Sequence, residues 1–121
     1  DGVVVSGRAD VIYDEHDGVI DNLAIVDYKT STRGEIHPLQ LQVYADAGRR
    51  EGLSVGGAFI HDMGTTIRHP VDVSAAEVAL AERLVVDTAA RLRARDFTPQ
   101  PERKKCLACD VKSVCGAAQV T

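Results

Sequence analysis

The sequence has no tryptophan, one methionine and only two phenylalanines and three tyrosines in 121 positions. So few aromatic side chains cannot build an extended platform for stacking bases. Acidic residues outnumber basic ones by 18 to 14, and the resulting net charge of -4 argues against a generic basic clamp for nucleic acid. Any role in nucleic-acid chemistry must therefore rest on a specific site.

Long apolar runs are also missing, since no stretch approaches the roughly 18 residues that span a bilayer. The chain opens Asp1-Gly2-Val3, without a basic leader or an initiating methionine. Its 45% hydrophobic and 26% charged residues are typical of one folded domain. We expect a cytoplasmic domain that has no membrane partner and is a piece of a longer protein.

The first half of the chain predicts a hairpin followed by a helix. Residues 3–13 and 22–29 are rich in valine and isoleucine, and the turn chemistry of residues 15–18 separates them. Pro38 suits a helix N-terminus, and helical periodicity continues from there to Gly52.

The second half predicts two more strands and a longer helix. The strands cover residues 57–60 and 66–73, and the capping box of Ser74 and Glu77 opens a helix that runs to about Arg95. We therefore expect an α/β (α+β) fold with a mixed central sheet of about four strands flanked by helices. The predicted apolar face of the last helix comprises Val78, Ala81, Leu84, Val85, Thr88, Ala89 and Leu92.

Asp10, Asp27 and Lys29 form the main candidate site. Asp27 and Lys29 are two apart in a strand, so their side chains share a face from which Tyr28 points away. If the hairpin folds about Gly18, paired residue numbers sum to 37 and Asp10 opposes Asp27. Opposed carboxylates cost up to about 1 kcal/mol, so a positive group should lie between them.

Lys29 is one candidate for that positive group, and a divalent cation held by carboxylate oxygens is the other. A metal would activate water and neutralise phosphate, which favours phosphodiester hydrolysis with Lys29 orienting water or stabilising charge. An ordinary surface ion pair remains the plain alternative for so short a pattern. Gln40 and Tyr44 share one helical face and can reach a single bound strand, as would residues of any amphipathic helix.

Cys106, Cys109 and Cys115 cluster in the last 16 residues, which predicts metal ligation rather than a disulfide framework. Three thiolates are one short of the four that tetrahedral zinc or a four-iron cluster requires. The plain alternative is that these cysteines are small buried hydrophobic residues. We place a core domain at residues 1–98 and a cysteine-rich tail at residues 99–121.

Three motifs in order resemble the RecB-like branch of the PD-(D/E)XK nuclease superfamily. Residues 7–10 are similar to its Gly-x-x-Asp strand, residues 27–29 to its Asp-x-Lys strand, and residues 40–44 to its Gln-x-x-x-Tyr helix. The separations match as well, so the resemblance covers nearly the whole chain. The cysteine spacing is similar to that of iron-sulfur members, which include AddB nucleases and CRISPR-associated exonucleases.

The resemblance implies a restriction-endonuclease-like core that acts as a Mg²⁺-dependent deoxyribonuclease. The residues matching Asp10 and Asp27, with the backbone carbonyl of Tyr28, would bind Mg²⁺ or Mn²⁺, and the residue matching Lys29 would be catalytic. DNA is then the partner, and exonuclease action in repair or recombination the role. The chain would be the C-terminal part of a helicase-nuclease, with the helicase in the same polypeptide or complex, or part of a stand-alone RecB-like exonuclease.

The resemblance further implies that Gln40 and Tyr44 position DNA or the lysine, and that the three cysteines hold a [4Fe-4S] cluster. A fourth cysteine and an upstream helix carrying a site His or Glu are missing, so this chain is expected to cleave DNA poorly. Two other functions stay open. One is a catalytically inactive DNA-binding or scaffolding domain of the same fold, and the other is a small zinc-binding interaction module.

Overall fold

A computed structural model describes residues 4–14, 23–31 and 36–120. The predicted turn at residues 15–18 lies outside these ranges. Within them, no helix is both long and apolar enough to cross a membrane. The elements in chain order are β1 (Val11–Asp14), β2 (Leu23–Lys29), α1 (Leu39–Arg50), β3 (Val55–Asp62), β4 (Ile67–Val71), α2 (Ala75–Arg93) and α3 (Arg103–Leu107).

The four strands form one mixed sheet in the order β1-β2-β3-β4, which confirms the predicted fold class. β1 and β2 are antiparallel, β2 and β3 are parallel, and β3 and β4 are antiparallel. A parallel pair needs a crossover connection, and α1 lies in the chain between β2 and β3. The pairing of Val11 with Val26 agrees with the predicted register.

The first strand is shorter than the sequence predicts, because residues 4–10 lie outside the sheet. Two side chains take the hydrogen bonds that further pairing would use. The backbone N–H of Tyr28 donates to Asp10 Oδ2 at 2.8 Å, and the backbone N–H of Arg8 donates to the Tyr44 hydroxyl at 3.0 Å. The strand therefore begins one residue after Asp10.

One face of the sheet carries the core. Ile25 of β2 and Ala58 of β3 pair with each other, and they pack with Leu41 and Ala45 of α1 in one buried cluster. Val78 of α2 belongs to the same cluster. Because side chains alternate along a strand, Asp27 and Lys29 project from the same face as Ile25. The sheet face that carries the core thus also carries the charged residues of the candidate site.

The apolar face predicted for α2 is only partly buried. Val78 and Ala81 are the buried residues of this helix in the described chain, whereas Leu84 and Leu92 are 53% and 57% exposed. A helix of 19 residues is about 28 Å long, and only its first two turns reach the core cluster. The prediction that Leu84 and Leu92 are buried is therefore wrong.

The chain forms two compact units, residues 1–88 and residues 89–121. The second unit contains the last residues of α2, the short helix α3 and a series of turns through the cysteine segment. The boundary predicted after residue 98 stays a prediction, since compactness does not show which part folds alone.

Arg49 of α1 ties the helix to β3 and to the segment that follows β4, and it supports a first testable prediction. Its guanidinium donates to the Val55 carbonyl through Nε and Nη2 and to the Val73 carbonyl through Nη1, at 2.7 to 3.2 Å. A lysine ammonium cannot reproduce this planar fork. We expect Arg49→Lys to lower the free energy of unfolding by about 1–2 kcal/mol, measured by urea denaturation.

Arg50→Lys is the matched control. Arg50 is the next residue of the same helix, but its side chain is 61% exposed and its partners are the surface carboxylates of Asp46 and Glu82. Its replacement should change stability by less than about 0.5 kcal/mol. Equal effects of the two substitutions would show that Arg49 is not a structural clamp.

Candidate active site

The end of β2 brings Asp27 and Lys29 into direct contact. Lys29 Nζ lies 2.8 Å from Asp27 Oδ2, and the Asp27 side chain is 7% exposed whereas that of Lys29 is 45% exposed. Tyr28, between them, points to the opposite face, where its ring lies edge-on to His61. The acidic group is thus held inside the fold while the lysine reaches solvent.

Asp10, the residue directly before β1, joins these two residues. Extending the register of β1 and β2 places it opposite Asp27, and its Oδ2 accepts the N–H of Tyr28, the residue between Asp27 and Lys29. The pKa of Asp10 lies below its ordinary value, first because the Tyr28 N–H donates to it, and then because of Asp27 and the charge of Lys29. Asp10, Asp27 and Lys29 therefore form one cluster.

Lys29 is held in its charged form. The hydrogen bond to Asp27 is the largest cause that raises the pKa of Lys29 above its ordinary value, and the charges of Asp27 and Asp10 add to it. A lysine with a raised pKa is a poor proton acceptor near neutral pH. Its chemistry is that of a fixed cation, which can stabilise negative charge or orient a water molecule.

The donor set fits a hard divalent cation. Two carboxylates that face each other repel, and a cation bound between them removes this repulsion. Tyr28 directs its N–H toward Asp10, and the C=O of a strand residue points to the same side as its N–H, so this carbonyl faces the same region. These oxygen atoms are ligands of the kind Mg²⁺ prefers.

The described ranges contain no group of three or more His, Cys, Asp or Glu side chains that could hold a metal ion. The two carboxylates therefore give a site that further ligands from water and phosphate oxygens would complete, as is usual for Mg²⁺. The cysteines do not fit a cluster here. Cys106 and Cys109 are half-buried and Cys115 is exposed, and within the described residues these three are not gathered as ligands of one metal ion.

Gln40 and Tyr44 of α1 contact each other and the segment that leads into Asp10. Gln40 Nε2 donates to the Tyr44 hydroxyl at 2.9 Å, and that hydroxyl also accepts the N–H of Arg8. Tyr44 therefore holds the chain that leads to Asp10 and adds to the electrostatic environment of Lys29. Gln42 instead is buried and donates to the Asp72 carbonyl at 3.1 Å, which is a structural contact.

Gly7 packs so closely against Tyr44 that a side chain does not fit. A Cβ atom at this position would lie 2.6 Å from two atoms of the Tyr44 side chain. We expect Gly7→Ala to displace Tyr44 and break its hydrogen bond with Arg8, which lowers nuclease activity by about tenfold or more. Steady-state cleavage assays would measure the loss.

Gly116→Ala is the control for the Gly7 substitution, because no atom lies within 4 Å of a Cβ added at Gly116. The double variant Gly7→Ala/Tyr44→Ala should be no worse than Tyr44→Ala alone, since removal of the ring removes both the clash and the hydroxyl contact. Independent, additive losses would contradict this account of Gly7.

Asp62 is a neighbour of the site that the sequence did not single out. It ends β3 directly beside Lys29, is 3% exposed, and its Oδ1 accepts the N–H groups of Gly64 and Thr65. The turn it organises contacts the lysine strand, since the N–H of Met63 donates to the Lys29 carbonyl at 2.8 Å. The only sequence signal was an aspartate in a turn, which is too common to identify a site neighbour.

Comparison with known proteins agrees with this geometry. The family model of the PD-(D/E)XK nuclease superfamily matches residues 1–116. No curated protein and no solved structure matches the chain. The chain belongs to the PD-(D/E)XK nuclease superfamily, whose members generally use divalent metals and whose substrate class is DNA.

Proposed function

We propose that this chain is a metal-dependent deoxyribonuclease domain of the RecB-like branch, hydrolysing phosphodiester bonds as an exonuclease of DNA repair or recombination. The motif order and the cysteine spacing support this branch and the attachment of a helicase in the same polypeptide or complex. The observation that carries the nuclease proposal is the cluster of Asp10, Asp27 and Lys29 at one edge of the sheet.

Each residue has a role that follows from its contacts. Asp10 and Asp27, with the Tyr28 carbonyl, hold Mg²⁺ or Mn²⁺, which when bound supplies a more acidic water and neutralises phosphate charge. Lys29 keeps its positive charge and stabilises the negative charge that develops on the phosphate. Gln40 and Tyr44 keep the segment before Asp10 in place, which positions the carboxylate.

A cleavage assay on end-labelled linear duplex and closed circular DNA tests the proposal. We expect slow formation of products with Mg²⁺ or Mn²⁺ and none with EDTA, and we expect the linear DNA to shorten from its ends while the circle persists. Asp27→Asn should remove the activity. Asp87→Asn is the matched control, because Asp87 is exposed on α2 and has no hydrogen-bond or ion-pair partner in the described chain.

Three outcomes would redirect the proposal. Cleavage in EDTA would exclude a metal-dependent reaction. Equal activity of Asp27→Asn and Asp87→Asn would assign the chemistry to other residues. DNA binding without cleavage under any metal would favour the inactive DNA-binding or scaffolding domain, an alternative supported by the fact that the described residues gather only two carboxylates at the site.

A further inference from the structure

The two compact units carry opposite charge. Residues 1–88 contain seven lysines and arginines against fifteen acidic residues, a net charge of -8. Residues 89–121 contain seven basic residues against three acidic ones, a net charge of +4. The negative total of the chain therefore conceals a strongly basic unit of 33 residues.

The basic residues of the second unit are exposed, and three of them have no partner among the described residues. Arg91 pairs with Asp96, Lys105 pairs with Glu102, and Lys112 donates to the Leu107 carbonyl. In the part of the chain that the structure describes, no hydrogen bond or ion pair engages the side chains of three exposed arginines. These three residues, the free arginines, are Arg93, Arg95 and Arg103.

Helix electrostatics does not explain this distribution. Cations near the C-terminus of α2 are favourable, which accounts for Arg91 and Arg93. The basic run of residues 103–105, however, fills most of α3, a helix of only five residues, whose dipole is too small to account for three adjacent cations. The stability of the helix itself therefore does not explain the basic residues at positions 103–105.

Arg95 occupies a backbone position where glycine is the usual residue. Its φ is +54°, and the N–H groups of Asp96 and Arg95 donate to the carbonyls of Arg91 and Leu92, the pattern of a Schellman cap. A side chain at such a position costs about 1 kcal/mol relative to glycine. The helix cap alone would therefore favour glycine and does not explain an arginine at this position.

We propose that residues 89–121 form a phosphate-binding surface for the DNA backbone, with the free arginines as its main contacts. Guanidinium groups without partners bind phosphate through two parallel hydrogen bonds, and the contact is independent of base sequence. The proposal rests on the proposed function, which supplies DNA as the polyanion. The role of this surface is to retain DNA of any base sequence.

Equilibrium binding of the full chain to a labelled duplex in EDTA tests the surface without cleavage. Affinity should fall steeply between about 50 and 200 mM salt, and Arg93→Gln/Arg95→Gly/Arg103→Gln should bind about 10²-fold more weakly near 0.1 M salt. The same variant should reduce the slope of log affinity against log salt by about 3. Arg95→Gly leaves the helix cap intact, so the melting temperature should be unchanged or slightly higher.

The matched pair is Arg93→Gln and Arg83→Gln. Both residues are exposed arginines of α2 without partners in the described chain, but Arg83 lies in the acidic unit. Arg93→Gln should weaken binding by several-fold and Arg83→Gln should not. Equal effects of the two, or an unchanged salt slope in the triple variant, would overturn the proposal.

The remaining outcomes separate this proposal from the proposed function. Salt-dependent binding by wild type that the triple variant loses, with no cleavage under any metal, would support the surface and refute the nuclease. Metal-dependent cleavage with equally tight binding by the triple variant would refute the surface and keep the nuclease. If light scattering shows that the variant instead abolishes self-association, the basic unit binds acidic protein surfaces and the proposal is wrong.

Discussion

Lys29→Ala is expected to lower the rate of Mg²⁺-dependent DNA cleavage by about 10²–10³-fold. Removing one preorganised positive group that stabilises developing charge typically costs this much in rate. The substitution leaves the buried carboxylate of Asp27 without its cation at 2.8 Å. DNA binding should change far less than the rate, because the lysine acts on charge that appears during the reaction.

Lys29→Arg separates charge from proton transfer. The raised pKa of Lys29 keeps it protonated, so an arginine, which is always charged, should retain clearly more activity than alanine. It also keeps a cation beside Asp27, which guards against loss of the fold. An arginine variant as inactive as the alanine variant, with a native melting curve, would show that Lys29 does more than supply charge.

Leu41→Ala is expected to lower the free energy of unfolding by about 2–5 kcal/mol. Leu41 is 1% exposed and packs between α1 and the sheet, in the cluster that contains Ile25 and Ala58. A substitution of this kind removes apolar contacts and leaves a cavity. Because the same helix carries Gln40 and Tyr44, partial unfolding of α1 should also reduce cleavage. Urea denaturation followed by circular dichroism measures the loss.

Leu39→Ala is the internal control for this measurement. Leu39 lies two residues earlier in the same helix but is 37% exposed. Its replacement should cost about 1 kcal/mol or less. If the two substitutions were equally destabilising, the core would not be anchored through Leu41 and the described packing of α1 would be incorrect.

The hairpin register and the site cluster show what the sequence can predict. Valine-rich segments around a glycine turn fix which residues face each other, so the opposition of Asp10 and Asp27 follows from counting. The capping box at Ser74 was equally readable, and the N–H of Glu77 donates to Ser74 Oγ at 3.4 Å. In such local patterns, residues close together in the sequence determine the structure.

Features that depend on contacts between residues far apart in the chain could not be predicted from the sequence. The start of β1 is set by the side chains of Asp10 and Tyr44, which no periodicity reveals. The exposed apolar residues of α2 satisfy the same helical spacing as buried ones, so spacing alone cannot show how far the core extends. The net charge of the whole chain does not reveal the basic unit, because the negative charge of residues 1–88 outweighs the positive charge of residues 89–121.

Binding of Mn²⁺ to the full chain, measured by electron paramagnetic resonance, tests the central claim that Asp10 and Asp27 jointly hold a divalent cation. The wild type and Asp87→Asn should bind Mn²⁺ alike, and Mg²⁺ should compete for the site. Asp10→Asn and Asp27→Asn should each weaken Mn²⁺ binding by at least about tenfold, because each removes one negative ligand. Both substitutions keep the shape of the side chain and one oxygen acceptor. Binding that is equal in all four proteins would contradict the claim.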